Sequence, residues 1–376
     1  MIAILVPLLF SLAVSFPPQN VSLPSRSASA AKSSDAFEQL GQAAKQARED
    51  NRDDSAIGDY RKALELKPDW DEGLWYLGTL LYETDDYLDA CTVLRRFLAQ
   101  NPRNGYGWAM LGLSEYESHQ YTRALDHLQQ GVVAGLGDDK NMRTTVSYVT
   151  AILLTRSEQF DESMDLLLSR VASGADTSPL VEPLGLAALR LPFLPAEIPA
   201  GSRGMIRIAG EAVLALEEQH YAEADNLFNQ LETSYPDQPG VHFLIGVHLL
   251  DSRPEDAIKE LKREIEISPS HVPAKLRLAD QYIKQQNVDL GIQYAHEALQ
   301  LAPKNASAHM VLGEGLIAKG DSAGGIHELE AARDASPDMV RVHWDLVRAY
   351  TAAGRVADAQ REKSEIERLG KEDEAH

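Results

Sequence analysis

The sequence predicts an all-α fold of stacked helical hairpins, an α-solenoid, and three repeating features support this prediction. A small residue recurs at a period near 34 and is followed by a second small residue twelve positions later. Prolines recur at nearly the same period, and the apolar residues between them keep helical spacing. A unit of this length cannot bury its apolar face alone, so such units are expected to stack into an array.

The first helix of each predicted hairpin carries its apolar residues on one face. Leu74, Leu77 and Leu81 lie at positions i, i+3 and i+7 of a helix. Gly78 lies within this block, and Gly112 has the same phase one period later. Glycine costs about 1 kcal/mol of helix propensity relative to alanine. Its recurrence at one phase therefore indicates a close helix crossing that a larger side chain would overpack.

The second helix of each predicted hairpin starts near the second small residue and ends near a proline, which lacks an N–H and blocks the helix behind it. The paired small residues are Ala44–Ala56, Gly78–Ala90, Gly112–Ala124, Ala151–Ser163, Ala212–Ala224, Ala279–Gly291, Gly313–Gly325 and Val347–Ala359, with Gly246–Ala257 one residue shorter. The recurring prolines are Pro68, Pro102, Pro236, Pro269, Pro303 and Pro337.

These blocks resemble tetratricopeptide repeats, and the resemblance is carried by residues such as Trp108, Leu111, Gly112 and Ala124. It implies a right-handed α-solenoid of about nine helical hairpins in two arrays, with a protein-binding function. The expected repeats are residues 37–70, 71–104, 105–138, 142–173, 205–236, 237–270, 271–304, 305–338 and 339–369.

The period fails over residues 174–204, which separates an N-terminal array at 37–173 from a C-terminal array at 205–369. Residues 178–190 have the spacing of one further helix, but Pro192, Pro195 and Pro199 forbid a regular partner helix after it. This irregular segment is either a hinge or docking element, or an insertion packed down by its apolar side chains. The polar last helix of the C-terminal array fits a capping helix, and residues 370–376 form a tail.

The N-terminus differs from the repeats. Residues 1–15 are apolar over a length typical of a signal peptide, although no Lys or Arg precedes them. Residues 16–36 are rich in Ser, Pro and Ala and are expected to form a linker. We therefore expect a periplasmic or secreted protein, or a cytoplasmic one if the start is misassigned. The mass of the natively expressed chain tests this expectation.

The chain carries 36 basic and 57 acidic residues, a net charge of −21. Nucleic acids and anionic membrane surfaces are disfavoured as partners, because both are bound through basic surface. The excess of acidic residues either keeps a large surface soluble or favours a basic partner. The oligomeric state does not follow from these numbers.

No catalytic, phosphate-binding or metal-binding motif is found, so the sequence predicts no enzyme, no cofactor and no metal site. Cys91 is the only cysteine, which excludes an intramolecular disulfide.

The resemblance implies that the first helices line a concave face and that their inward positions bind partners. In the N-terminal array these positions bring together an aromatic strip, and in the C-terminal array they are more mixed. Some of the rings would alternatively pad the neighbouring repeat. The candidate partner-binding residues are Trp75, Tyr82, Tyr106, Tyr116 and Tyr148 in the first array, and Phe243, Met310 and Trp344 in the second.

The sequence thus favours a non-enzymatic scaffold that binds a peptide segment of a protein partner in its concave groove. Glu83 and Glu117 lie near the aromatic strip and favour a segment with Lys or Arg. The alternative is an accessory subunit of a bacterial envelope assembly, secretion or transport machine. A stable co-purifying complex supports the alternative, and a single transient client supports the scaffold.

Overall fold

A computed structural model describes residues 28–174 and 176–373 of the chain. Within them it contains nineteen α-helices and no strand, which confirms the predicted all-α solenoid of helical hairpins. The predicted signal segment at 1–15 and most of the predicted linker lie outside the described residues, and export stays a prediction. The first helix begins at Ala28 and thus includes part of the expected linker, since alanine is the strongest helix former.

The chain divides into two compact units. The first unit takes in the described residues up to Arg170 together with Pro192–Ile198, and the second takes in Val171–Leu191 and the chain from Pro199 onward. The helices of the first unit are α1 (Ala28–Glu49), α2 (Asp53–Leu66), α3 (Asp71–Glu83), α4 (Tyr87–Gln100), α5 (Gly105–Glu117), α6 (Tyr121–Ala134), α7 (Lys140–Arg156) and α8 (Phe160–Ala172).

The second unit begins with an unpaired helix and continues with five hairpins. Its helices are α9 (Val181–Ala188), α10 (Arg203–Glu217), α11 (Tyr221–Ser234), α12 (Val241–Leu249), α13 (Pro254–Ile267), α14 (Val272–Lys284), α15 (Val288–Leu301), α16 (Ala306–Lys319), α17 (Ser322–Ala335), α18 (Val340–Ala352) and α19 (Val356–Asp373).

The hairpin of α5 and α6 shows how the local sequence produces the repeat. The Asn104 side chain caps α5 by accepting a hydrogen bond from the Gly107 backbone N–H at 2.8 Å. His119 takes a left-handed conformation, with φ of 61°, and turns the chain into α6. Gly112 then faces Leu128, because a Cβ added at Gly112 would lie 2.7 Å from Leu128 Cγ. The small residue allows the two helices to cross closely.

Each unit has its own apolar core. In the first unit a continuous core runs from Ala44 on α1 to Leu154 on α7. In the second unit one cluster lies among α12, α13 and α14, and another extends from α14 to α19. The core of each unit therefore follows the stacking of its hairpins, as expected for a repeat protein.

The segment that interrupts the period contains short helical turns. A 3-10 turn at Ser178–Leu180 leads into α9, and two more turns lie at Pro195–Glu197 and Ala200–Ser202. Helix α9 packs against α10 through two glycines. A Cβ at Gly185 would lie 1.9 Å from the Ile206 carbonyl oxygen, and one at Gly210 would lie 1.9 Å from that of Val181. These glycines permit backbone contact between the two helices.

Candidate partner-binding surface

Two pairs of tyrosines in the first unit lie at equivalent places in successive repeats. Tyr82 and Tyr87 form the first tyrosine pair, with ring centroids 5.5 Å apart. Tyr116 and Tyr121 form the second tyrosine pair, with ring centroids 6.0 Å apart. In each pair one ring comes from the end of a first helix and the other from the start of the second helix. The pairs are thus the same structural feature repeated.

The turn between the helices brings the two rings of each pair together. Asp85, with φ of 63°, and His119, with φ of 61°, occupy the left-handed region at equivalent positions of the two turns. The Tyr87 hydroxyl donates a hydrogen bond to Asp85 Oδ1 at 2.6 Å. The Tyr121 hydroxyl lies 2.6 Å from His119 Nδ1. Each turn residue therefore both directs the chain and holds the second ring.

Two exposed carboxylates accompany the tyrosine pairs. Partial burial and the neighbouring Asp53 raise the pKa of Glu83, which Arg48 opposes. Partial burial and Asp85 raise the pKa of Glu117. Glu117 also contributes to the raised pKa of Tyr82, whose main cause is burial. Glu117 therefore interacts electrostatically with Tyr82 of the first pair as well as with Tyr116 of the second.

The chain places its own cations on neighbouring rings of this unit. The Arg48 guanidinium lies over the Tyr76 ring, 3.5 Å from its centroid. The Arg156 guanidinium lies 5.1 Å from the centroid of Tyr121 and is 2.5 Å from Glu197 Oε2. A cation over an aromatic face beside a carboxylate gains both cation–π and ionic attraction. Two aromatic rings of the first unit are thus already in contact with guanidinium groups of the same chain.

Comparisons with known sequences agree with the hairpin geometry. Two profiles described as tetratricopeptide repeat match this chain, one over residues 76–139 and one over residues 316–375. Residues 76–139 and 316–375 of this chain are tetratricopeptide repeats. The first matched stretch contains both tyrosine pairs. Tetratricopeptide repeats are typically scaffolds for protein–protein interaction, and the matched repeats support a scaffold role for this chain.

Solved structures resemble part of this chain. A double mutant of MamA RS-1 is 16% identical, with a TM-score of 0.41, over 46% of this chain and 98% of its own. A crystal structure of MamA is 17% identical, with a TM-score of 0.39, over 44% and 97%. MamA 41-end from Desulfovibrio magneticus RS-1 is 16% identical, with a TM-score of 0.40, over 45% and 97%. No curated protein sequence matches this chain.

The structure places the predicted residues of the first array at different depths. Trp75 is buried and packs against Phe97, with ring centroids 5.4 Å apart. Tyr82, Tyr106, Tyr116 and Tyr148 are half-buried and pack against the core with part of each ring facing solvent. The four tyrosines therefore keep accessible surface that Trp75 does not have.

The predicted residues of the second array also differ in depth. Phe243 and Met310 are buried in the core, whereas Trp344 is 50% exposed. Near Trp344, the Arg341 guanidinium pairs with Glu314 at 2.9 Å. Burial and the neighbouring Asp345 raise the pKa of Glu314, and Arg341 opposes this shift. Of the three predicted residues of the second unit, Trp344 alone is exposed, and it lies on the same helix as the paired Arg341.

Sequence reasoning missed three residues of this surface. Tyr87 and Tyr121 lie on second helices, outside the inward positions of the first helices, although they are 34 residues apart and each follows a predicted tyrosine by five. Arg156 has no signal in the repeat pattern, since it occupies a position that holds glutamate in Glu83 and Glu117.

Two further features concern metal binding and membrane-spanning helices. Among the described residues, no group of three or more His, Cys, Asp or Glu is placed to hold a metal ion. Over the same residues, no helix has the length and apolar character required to span a membrane.

Proposed function

We propose that the first unit binds a partner segment whose basic side chains contact the two tyrosine pairs and the carboxylates of Glu83 and Glu117. The single observation that carries this proposal is the contact of Arg156 with Tyr121 and Glu197. A guanidinium from the same chain already uses an aromatic ring and a carboxylate at this surface. A Lys or Arg of a partner would use the same combination at the remaining rings.

The spacing of the repeats sets the spacing of the basic residues. Helices α3 and α5 contact each other directly, so the equivalent positions on them are about 10 Å apart. A segment in the polyproline II conformation advances about 3.1 Å per residue and completes one turn in three residues, so side chains three residues apart lie on the same face. Two basic side chains about three residues apart in an extended segment would therefore reach Tyr82 with Glu83, and Tyr116 with Glu117.

The electrostatic environment supports a cationic ligand. Within the described residues, neither Glu83 nor Glu117 forms an ion pair with a cation of the chain. A bound cation stabilises the ionised form of both carboxylates, whose pKa values are raised in the free protein. Association should weaken as salt increases, because the surface is open to solvent.

The proposal is tested with a fluorescent peptide that carries two arginines three positions apart, and with the same peptide carrying glutamine instead. The double variant Glu83→Gln with Glu117→Gln should weaken binding of the arginine peptide about fivefold, the size of two exposed ion pairs. The double variant Tyr82→Ala with Tyr116→Ala should weaken it about tenfold. Fluorescence anisotropy at low salt measures both effects.

The matched control removes two exposed carboxylates elsewhere, through Glu65→Gln and Glu255→Gln. It lowers the net negative charge by the same amount and should leave the affinity almost unchanged. Equal weakening in the control would show that only overall charge attracts the peptide. Loss of helical circular dichroism in the tyrosine variant would show that the rings serve the core.

A further inference from the structure

We infer that the first unit has a docking surface beside Arg156 for a short proline-containing apolar segment with one carboxylate, and that Pro192–Ile198 of the same chain occupies it. This segment reads Pro-Phe-Leu-Pro-Ala-Glu-Ile. The inference concerns a surface next to the tyrosine pairs and holds whether or not those pairs bind a basic partner.

The grouping of the segment is the first observation. Leu191 before it and Pro199 after it belong to the second unit, whereas Pro192–Ile198 belongs to the first. Leu194 is 4% exposed and Ile198 is 6% exposed, so two apolar side chains of this short stretch are removed from water. A seven-residue stretch that buries two apolar side chains is packed rather than solvated, and its grouping with the first unit indicates the surface on which it lies.

The carboxylate of the segment is the second observation. Glu197 Oε2 accepts a hydrogen bond from Arg156 Nη1 at 2.5 Å and another from the Leu194 backbone N–H at 3.1 Å. One oxygen thus closes the turn of the segment and anchors it to the first unit. Glu197 also contributes to the raised pKa of Tyr116 and of Tyr121, after burial as the main cause. The anchor therefore lies beside the second tyrosine pair.

The two kinds of contact have different consequences. Arg156 and Glu197 are both about one-third exposed, and ion pairs of this kind contribute little to affinity. Packing of Leu194 and Ile198 on this surface would supply most of the attraction, since fully burying such a side chain stabilises by about 1.5–3 kcal/mol. The ion pair then selects a segment with a carboxylate at the correct place.

Attachment to the chain makes the segment a competitor for partners of the same chemistry. A tethered ligand acts at an effective concentration on the order of millimolar. An external segment with the same apolar and acidic pattern must therefore displace Pro192–Ile198 before it can bind. A ligand of low affinity therefore does not displace the segment, whereas a ligand of high affinity or high concentration does.

The first experiment observes displacement in the full chain. Ala196 is exposed, whereas the only native cysteine, Cys91, is buried, so Ala196→Cys allows labelling of the segment with an environment-sensitive fluorophore. A synthetic peptide copying residues 191–199 should change the emission at millimolar concentration. The same peptide with aspartate at the positions of Leu194 and Ile198 should not. An unchanged emission with both peptides would overturn the inference.

The second experiment opens the surface. The double variant Leu194→Asp with Glu197→Arg should bind the labelled peptide at least tenfold more tightly than the unaltered protein, measured by anisotropy. A folded variant that binds no more tightly overturns the inference. If circular dichroism shows that this variant does not fold, the displacement experiment decides.

The charge of the ligand is tested by reversal. Arg156→Glu should prefer a peptide in which arginine replaces the glutamate, whereas the unaltered protein should prefer the original peptide. The matched control is Arg207→Glu, which removes an exposed arginine paired with Glu211 at 3.0 Å in the second unit. It should leave both affinities unchanged. If Arg156→Glu and the unaltered protein preferred the same peptide, the charge of Arg156 would not select the ligand.

Discussion

The two units share one repeat but differ at the sixth residue after the closing proline. In the first unit Trp108 occupies this position, and its Nε1 donates a hydrogen bond to the Pro102 carbonyl at 2.9 Å. In three repeats of the second unit a histidine occupies it. The histidine Nε2 lies near the preceding proline carbonyl and Nδ1 near a glutamate of the following helix, in the sets His242 with Pro236 and Glu260, His309 with Pro303 and Glu328, and His343 with Pro337 and Glu362.

This difference shows how one frame uses its charged groups in two ways. The second unit places carboxylates opposite histidines inside three of its five hairpins, and Lys275 pairs with Glu297 at 2.7 Å in a fourth. In the first unit the Trp108 ring stacks on His127, which lies 2.5 Å from the buried Glu115 of the same hairpin. Both units therefore have internal polar links, and the first unit has in addition Glu83 and Glu117 on its surface beside tyrosine rings.

The largest expected effect tests the frame that both units share. Gly112→Leu in the first unit and Gly313→Leu in the second should each destabilise the protein by about 3 kcal/mol or more, because an added Cβ lies 2.7 Å from Leu128 Cγ or 2.8 Å from Leu329 Cγ. Urea unfolding followed by circular dichroism measures the loss.

The control for these two variants is Gly58→Leu, on the second helix of the first repeat. A Cβ at Gly58 meets nothing within 4 Å, so this variant should be neutral or slightly stabilising. If only one of the two crossing glycines proved sensitive, the units would not share the same packing.

A smaller effect tests the polar link of the second unit through its pH dependence. The hydrogen bond to Glu260 raises the pKa of His242 above 6.5, with burial opposing. A raised folded-state pKa means that the stabilisation is complete below pH 6.5 and is lost as the pH rises through the folded-state value. The free energy of unfolding of the unaltered protein should therefore exceed that of His242→Gln by about 1–2 kcal/mol at pH 5.5, and by less at pH 8.5.

Urea unfolding of both proteins at the two pH values measures this difference. The comparison variant is Asn104→Ala in the first unit, which removes a cap hydrogen bond between two neutral groups, the Asn104 side chain and the Gly107 backbone N–H. Its effect on the free energy of unfolding should be the same at both pH values. A pH-independent effect of His242→Gln would mean that the charge of the imidazole does not contribute to the link.

The hairpins could be predicted from the sequence because the glycines at the helix crossings are required by packing within a single repeat. Gly112 and Leu128 are close in sequence, and the residues at equivalent positions of another repeat, Gly313 and Leu329, are also adjacent. The depth of each aromatic residue was harder to predict, since Trp75 turns toward Phe97 while Tyr82 at a nearby phase keeps solvent contact. Phase indicates the helix face, but neighbouring side chains decide how far a ring is covered.

Other parts of the surface depend on contacts that no local pattern records. The docking of Glu197 on Arg156 joins residues 41 positions apart, and the repeat period is absent where Glu197 lies. The tyrosine pairs could be predicted from the sequence only in part. Their spacing of 34 is visible in the sequence, but their contact depends on the left-handed turn between the helices.

The smallest expected effects concern those turns. Most turns inside the hairpins place a non-glycine residue in the left-handed region, which costs about 1–2 kcal/mol, whereas Gly320 adopts it without strain in the second unit. Glu158, with φ of 64°, occupies such a position in the first unit. Glu158→Gly should therefore stabilise the protein by about 0.5–1 kcal/mol, after the greater flexibility of glycine in the unfolded chain is included.

Asp85→Gly provides the comparison that separates strain from the support of a tyrosine pair. It relieves the same strain as Glu158→Gly but also removes the acceptor of the Tyr87 hydroxyl, so its net effect on the free energy of unfolding should be close to zero. Thermal unfolding of the two variants gives the measurement. Equal stabilisation would mean that the Asp85–Tyr87 hydrogen bond contributes nothing to the fold. A smaller gain for Asp85→Gly, together with weaker binding of the arginine peptide, would show that the first unit retains a strained turn because the turn holds a ring at its binding surface.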